Sequence, residues 1–313
     1  MPFSIQTTGE GSRLIIRLSD TTTGTVAEIF AFGGLLNAFL VQTAQGSLNV
    51  IDGFTDPEHA MTHITDGFKS AKMSPFACRL ENGHYDFNDQ SYTMDSFYLG
   101  NHALHGILYD AVYTIKDLVA DEKAASVELE HQYNGHFSGY PFKYTLYVKW
   151  ELTSANSLTV TTTAVNHSEK AIPFSDGWHP YFTISESVDE CELKFNTSRK
   201  LVFDPELIPT GEEETDDRFI AGHSLQDIFL DNSFLLPTTE EGYCELKNKQ
   251  VSILIKPLIN YPYLQVYTPQ HRKSIAIENL SAAPNAFNNE MGLLHLLPNK
   301  PVSFATCYRV NVL

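Results

Sequence analysis

Apolar and polar residues alternate with a period of two along most of this chain. In SVELEHQY, Val127, Leu129, His131 and Tyr133 share one face, and Glu128 and Glu130 take the other. FKYTLYVKWEL keeps Phe142, Tyr144, Leu146, Val148 and Trp150 in phase, and LTVTTTAVN continues with Leu158, Val160, Thr162 and Ala164. VSILIKP, YLQVYTP, SIAIENL and VSFATCYRV read the same way, and turn signals at Asn134-Gly135, Ser154 to Asn156, Pro209 to Gly211 and Pro269 punctuate them. Helical periodicity is confined to short pieces around Pro57 to Thr62 and Ser224 to Phe229. The pattern predicts an all-β sandwich with few short helices. No repeat, linker or composition break divides it, so we expect one continuous domain over residues 1–313. The acidic run GEEETDD, Gly211 to Asp217, reads as a solvated loop.

Composition narrows the class. The 20 Phe and 15 Tyr favour strands, and 42% hydrophobic residues suffice for a large core. A net charge of −17 argues against nucleic acid and anionic membrane surfaces as partners, which call for a basic face. The longest apolar stretch, Ile29 to Val41, is broken by Gly33, Gly34 and Asn37 and falls short of the roughly 20 residues a membrane span needs. The start of the chain has no basic segment followed by an apolar run, so no signal peptide is visible. Four widely spaced cysteines without a CxxC pair read as reduced thiols of a cytoplasmic protein, and the sequons at Asn166, Asn196 and Asn279 as chance.

With no GxSxG, P-loop, Rossmann or HExxH motif, histidine and carboxylate chemistry remains. GNHALHG holds His102 and His105 three apart. Such residues on a strand point to opposite faces and no second ligand pair follows, so a metal site is the weaker reading and an ordinary core or surface histidine the plain one. In PFSDGWHPYF, one imidazole, His179, stands in a rigid aromatic loop, and Pro180 favours extended backbone at His179. Aromatic faces suit the C–H faces of a sugar, and the imidazole can deliver a proton; an aromatic core plug is the alternative. In SIAIENL, Ile275 and Ile277 take one face, leaving Glu278 opposite with only Ala276 beside it. That position suits a general base in a cleft, or an ordinary solvated glutamate. Arg79 offers a planar fork of donors for hydroxyls or a carboxylate, or a structural ion pair. Asp231, between apolar neighbours, can accept from sugar hydroxyls or cap a turn.

Taken in order, PFACRLENGHYDF, NHALHG, NHSEKAIPFSDGWHPYF, LQVYTP and IAIENLSAAPNAFNN resemble the aldose 1-epimerase (galactose mutarotase) family, from about residue 25 to residue 310, and LIPTGE resembles its proline-glycine turn. The resemblance implies a β-supersandwich whose concave face binds a free sugar. It also implies Glu278 as base, His179 as acid, and His105, Arg79 and, less closely patterned, Asp231 as substrate-binding residues. Anomer interconversion removes the C1 hydroxyl proton while protonating the ring oxygen, then reverses both roles, which a glutamate and a histidine of suitable pKa can do without cofactor or metal.

Some positions depart from the family pattern. Ile107 and Tyr113 stand where a small residue and a tryptophan are common, and Asp176 where the loop before HPYF is often apolar. The hexose-6-phosphate branch carries an Arg-Gly-Gly-rich phosphate site, for which Lys69 and Lys72 are the only obvious substitutes here. The expectation is thus an aldose 1-epimerase acting on an unphosphorylated hexose. The alternatives are an epimerase for a phosphorylated or modified sugar, or a non-catalytic carbohydrate-binding protein.

Overall fold

In the computed structural model, which describes residues 1–237 and 242–313, the alternating segments form antiparallel strands. Among the described residues a nine-stranded sheet runs, in spatial order, through Thr114–Ala120, Ala124–Tyr133, Tyr144–Thr153, Ser157–Asn166, Val302–Val312, Val251–Ile259, Cys244–Lys247, Glu192–Phe195 and His223–Ser224. Facing it is an eight-stranded sheet ordered Pro209–Thr215, Arg199–Phe203, Asp231–Leu235, Tyr263–Tyr267, Ile275–Leu280, Gly177–His179 and Ala71–Met73, with Tyr181–Phe182 pairing beside Ile275–Leu280. A five-stranded meander covers Phe3 to Asn49.

The alternation translates directly into packing. Along Tyr144–Thr153, Tyr144, Leu146, Val148, Trp150 and Leu152 are buried, and Tyr147, Lys149 and Glu151 are not. Aromatic rings bridge the sheets: Trp150 meets Trp178 at 5.4 Å and Phe182 meets Tyr308 at 5.5 Å, both edge-on. The Trp150 indole donates to the Gly34 carbonyl at 2.9 Å, tying in the meander. One hydrophobic core therefore draws on residues from Phe3 to Val310. All four cysteines are free thiols. No described helix is long and apolar enough to cross a membrane.

Three local expectations need correction. The acidic run is not a loop: Pro209–Thr215 is the edge strand of the eight-stranded sheet, paired with Arg199–Phe203. Glu213 and Glu214 form ion pairs with Arg199 and Lys200 there. Neither face meets the core, so hydrophobic alternation is missing, and charges on an edge deter further strand pairing. For the same reason Pro209 to Gly211 is strand rather than turn. The reversal lies just before it, where the Asp204 carboxylate accepts the Glu206 and Ile208 amides and Leu207 is left-handed. Ser224 to Phe229 is not helical either, since Ser224 ends a two-residue strand and Asp227 is left-handed. The other helical piece forms as Pro57–His63, its N-terminus capped by Asp56 accepting from the His59 amide at 2.8 Å. A short helix at Ala286–Asn289 carries no sequence signal.

Burial decides which substitutions matter. Leu146 is fully buried and Leu118, on the exposed edge strand Thr114–Ala120, is 41% exposed. Leu146→Ala should cost about 2–5 kcal/mol and Leu118→Ala no more than about 0.5 kcal/mol in urea unfolding. Equal losses would show that the alternation does not mark the core.

Candidate active site

The centre of the site is Ile275–Leu280, a strand with every residue buried. Ile275 and Ile277 enter the core between the sheets, and Glu278 faces the other way. It is not the solvated glutamate that alternation alone allows: it is 1% exposed, because flanking segments close over that face as well. Gln265 stands directly across from it on Tyr263–Tyr267. On the other side runs the HPYF segment, an interrupted strand rather than a loop. Gly177 pairs with Leu280, Pro180 breaks the ladder, and Tyr181 and Phe182 resume it against Ala276 and Ile275. Trp178 and Phe182 turn into the core, while His179 and Tyr181 line the cavity.

Three further segments close the ring. Arg79–Leu80 pairs with His102–Leu104, bringing Arg79 opposite Leu104 and next to His105. His105 leaves that strand in the left-handed region at φ 61°, its amide donating to the Cys78 carbonyl at 2.9 Å. The left-handed turn aims His105 into the cavity, whereas His102 is spent elsewhere, its Nδ1 accepting the Asn82 amide at 3.1 Å. Gly106 makes the turn possible: a Cβ there, at φ +76°, would lie 2.2 Å from the Ser74 carbonyl oxygen. Asp231 opens the strand beyond Tyr263–Tyr267, opposite Tyr267.

Glu278, His179, His105, Arg79 and Asp231 thus line one cavity of about 270 Å³ with Gln265, Tyr181, Tyr267 and Cys78. His179 Nε2 lies 3.3 Å from Glu278 Oε1. The His179 ring is stacked on Tyr181 at 5.0 Å and met edge-on by His105 at 4.9 Å, and Phe68 meets His105 at 4.7 Å. Glu278 Oε2 and Nδ1 of both histidines are buried without a protein hydrogen-bond partner, which leaves polar capacity inside the site.

Burial also sets the electrostatics. It pushes the Glu278 carboxyl well above its usual range; Asp231 adds to that and Arg79 opposes it. It pulls His179 down to about 4 and His105 well below its ordinary value. Asp231 is raised by burial, against Arg79 and a hydrogen bond from Gln265. Burial raises the Cys78 thiol, with Glu278 adding to it, so Cys78 is an uncharged wall rather than a nucleophile.

Sequence reading passed over Gln265. Its amide donates to Asp231 Oδ1 at 2.7 Å and accepts from the Ser233 hydroxyl, so it orients the aspartate from the strand beside Glu278. The only signal was a lone polar residue in an apolar run, and its meaning depends on register. Lys69 and Lys72 do not line the cavity: Lys69 bonds Asp52 at 2.6 Å, and Lys72 is fully buried against Asp176 at 2.5 Å.

A β-sandwich with a carboxyl and an imidazole in contact inside a buried polar and aromatic cavity has the groups to move protons on a small polar substrate. The family model for aldose 1-epimerase matches residues 15–309, and the chain belongs to that family of isomerases. YihR of Escherichia coli K12, described as uncharacterized, is 26% identical over 236 residues, covering 73% of this chain and 75% of its own. A galactose mutarotase-like protein from Clostridium acetobutylicum superposes with a TM-score of 0.86 at 18% identity, covering 100% of this chain and 99% of that one. For galactose 1-epimerase from Lactobacillus acidophilus NCFM the TM-score is 0.83 at 19% identity, with 99% and 98% covered. At these identities the structural likeness is one of fold.

The turn after His105 makes a direct test. Gly106→Ala should cost about 1–3 kcal/mol, read as a lower thermal midpoint, because the new methyl meets backbone in a disfavoured conformation. An unchanged midpoint would show that the turn yields.

Proposed function

We propose that the protein interconverts the α and β anomers of an unphosphorylated hexose, with Glu278 as base and His179 as acid. The observation that carries this reading is the 3.3 Å approach of His179 Nε2 to Glu278 Oε1 on the floor of the cavity. Glu278 takes the C1 hydroxyl proton as His179 protonates the ring oxygen, and the C1–O5 bond breaks to give the open aldehyde. Rotation about C1–C2 presents the other face, and the protons return along the same two groups. His105, Arg79 and Asp231 hold the sugar, with Asp231 steadied by Gln265.

The pair needs one proton in all. In the empty cavity burial favours neutral forms, so that proton rests on Glu278 and His179 is uncharged. The reactive arrangement, carboxylate and imidazolium, differs by one transfer over the same short distance. Arg79 and donated sugar hydroxyls favour it by stabilising the carboxylate.

An unphosphorylated substrate is supported by the charges that line the cavity. Arg79 is the cation among the lining residues, and it faces two carboxylates, Asp231 and Glu278. The other near candidates, Lys69 and Lys72, are engaged with Asp52 and Asp176. We further read the chain as one domain over 1–313, supported by its continuous core, and as cytoplasmic, supported by its free thiols.

Polarimetry of fresh α-galactose and α-glucose should show relaxation faster than buffer, with little effect on glucose 6-phosphate; no acceleration with any free hexose would reject the reading. Glu278→Gln should lower kcat by about 10²–10⁴-fold with the fold retained, and full activity would reassign the base.

The pH profile of kcat/KM should be a bell. As pH falls through about 4, His179 gains a proton beside an already protonated Glu278 and no base remains. As pH rises through the elevated value of Glu278, the pair loses its last proton and no acid remains. A single acid limb near 6.5, the ordinary histidine value, followed by an unbroken plateau would contradict this scheme.

A further inference from the structure

Directly behind the site lies a charged pair that the chemistry does not use. Lys72 and Asp176 are both fully buried, with Lys72 Nζ 2.5 Å from Asp176 Oδ2. Burial pulls the lysine down to about 8 and pushes the aspartate up. Such a pair is a costly way to fill a core, since apolar side chains of similar volume commonly do as well or better for stability.

Its contacts converge on one segment. Lys72 also donates to the Gly177 carbonyl at 3.3 Å and sits 4.4 Å from the Trp178 ring centroid. A third donation, at 3.2 Å, goes to Thr162 in the opposing sheet, whose hydroxyl also accepts from the Trp178 indole at 3.3 Å. Asp176 Oδ2 takes the Tyr261 hydroxyl at 2.6 Å. The Asp176 backbone is bonded in both directions to Ser281, immediately after the Glu278 strand, at 2.8 and 2.9 Å. Residues 176–178 are thus gripped from the Ala71–Met73 strand, from the facing sheet and from the end of the Glu278 strand.

The next residue is His179. Its strand has three residues and meets the Glu278 strand at a single register pair, Gly177 with Leu280, before Pro180 interrupts. On its other edge the strand pairs with Ala71–Met73 at all three residues, so its placement against the Glu278 strand depends on how Ala71–Met73, and Lys72 in it, is held.

We propose that Lys72 and Asp176 are positioning residues, which fix the His179 segment against the Glu278 strand and thereby hold the two groups at reacting distance. The proposal rests on the reading of Glu278 and His179 as the acid–base pair. It predicts that neutralising the pair leaves the fold intact and the sugar bound while chemistry slows, since misplacement by about 1 Å can cost about 10²-fold.

The test is the double variant Lys72→Met/Asp176→Asn, which removes both charges together and keeps an acceptor for Tyr261. We expect a thermal midpoint at or above that of the parent, a KM within about 2-fold, and a kcat reduced by at least about 10-fold. Thr162→Val, which removes one acceptor at nearly constant volume, should lower kcat by a smaller factor with KM unchanged. Parental kcat in the folded double variant overturns the proposal. If the double variant does not fold, parental kcat in Thr162→Val overturns it instead. Glu278→Gln, assayed alongside, separates the two levels. Activity there faults the choice of base. Its loss, together with full activity of the Lys72 and Asp176 variant, faults only the positioning role.

Discussion

A carboxyl group held on a strand that is buried on both faces is the constraint on which this structure turns. Ile275 and Ile277 anchor the strand in the core, and the segments bearing His179, Gln265 and Arg79 shield Glu278 from water. Removing solvent from a carboxylate disfavours its charge, so whatever lies within reach decides when it is ionised. Here that surrounding is an imidazole at 3.3 Å, a guanidinium and a second carboxylate. The two histidines lose their water in the same cavity, so burial raises the carboxyl and lowers each imidazole, His105 being lowered further by His179 and Arg79.

Antiparallel pairing supplies the precision. Register places Gln265 opposite Glu278, Tyr181 opposite Ala276 and Arg79 opposite Leu104, so residues far apart in sequence meet at spacings set by the sheet. Regular strands alone do not complete the ring. His105 enters through a left-handed turn that the following glycine permits, and His179 sits where Pro180 interrupts a ladder. Both deviations occur where a side chain must be turned toward the cavity, as functional sites that depart from regular geometry commonly show.

Much of this is legible in the sequence. Strands such as Tyr144–Thr153 and Ser157–Asn166 follow from alternation because one face meets the core and the other does not. The signal fails where that asymmetry fails. Pro209–Thr215 is exposed on both faces and reads as a loop; Ile275–Leu280 is buried on both, and alternation alone leaves Glu278 equally fit for solvent. Among the site residues, Glu278, His179, His105, Arg79 and Asp231 stood out as polar groups in apolar or glycine-bounded settings and as motif positions. Gln265 did not, because its importance lies in a hydrogen bond to Asp231 across a strand pair that the linear chain does not reveal.

Lys72 shows the same limit from the other side. As a lysine upstream of the site it suggested a phosphate anchor, yet its ammonium is turned away into the core, and Trp178, opposite it in the ladder, turns with it. By itself the sequence determined the class of fold, the strands with one buried face and the chemical types available, because each depends on local period and composition. Only the tertiary structure decided which polar groups lose their water, which share a cavity and which are spent as structural pairs. Desolvation and register are set by neighbours distant along the chain, and no local pattern encodes them.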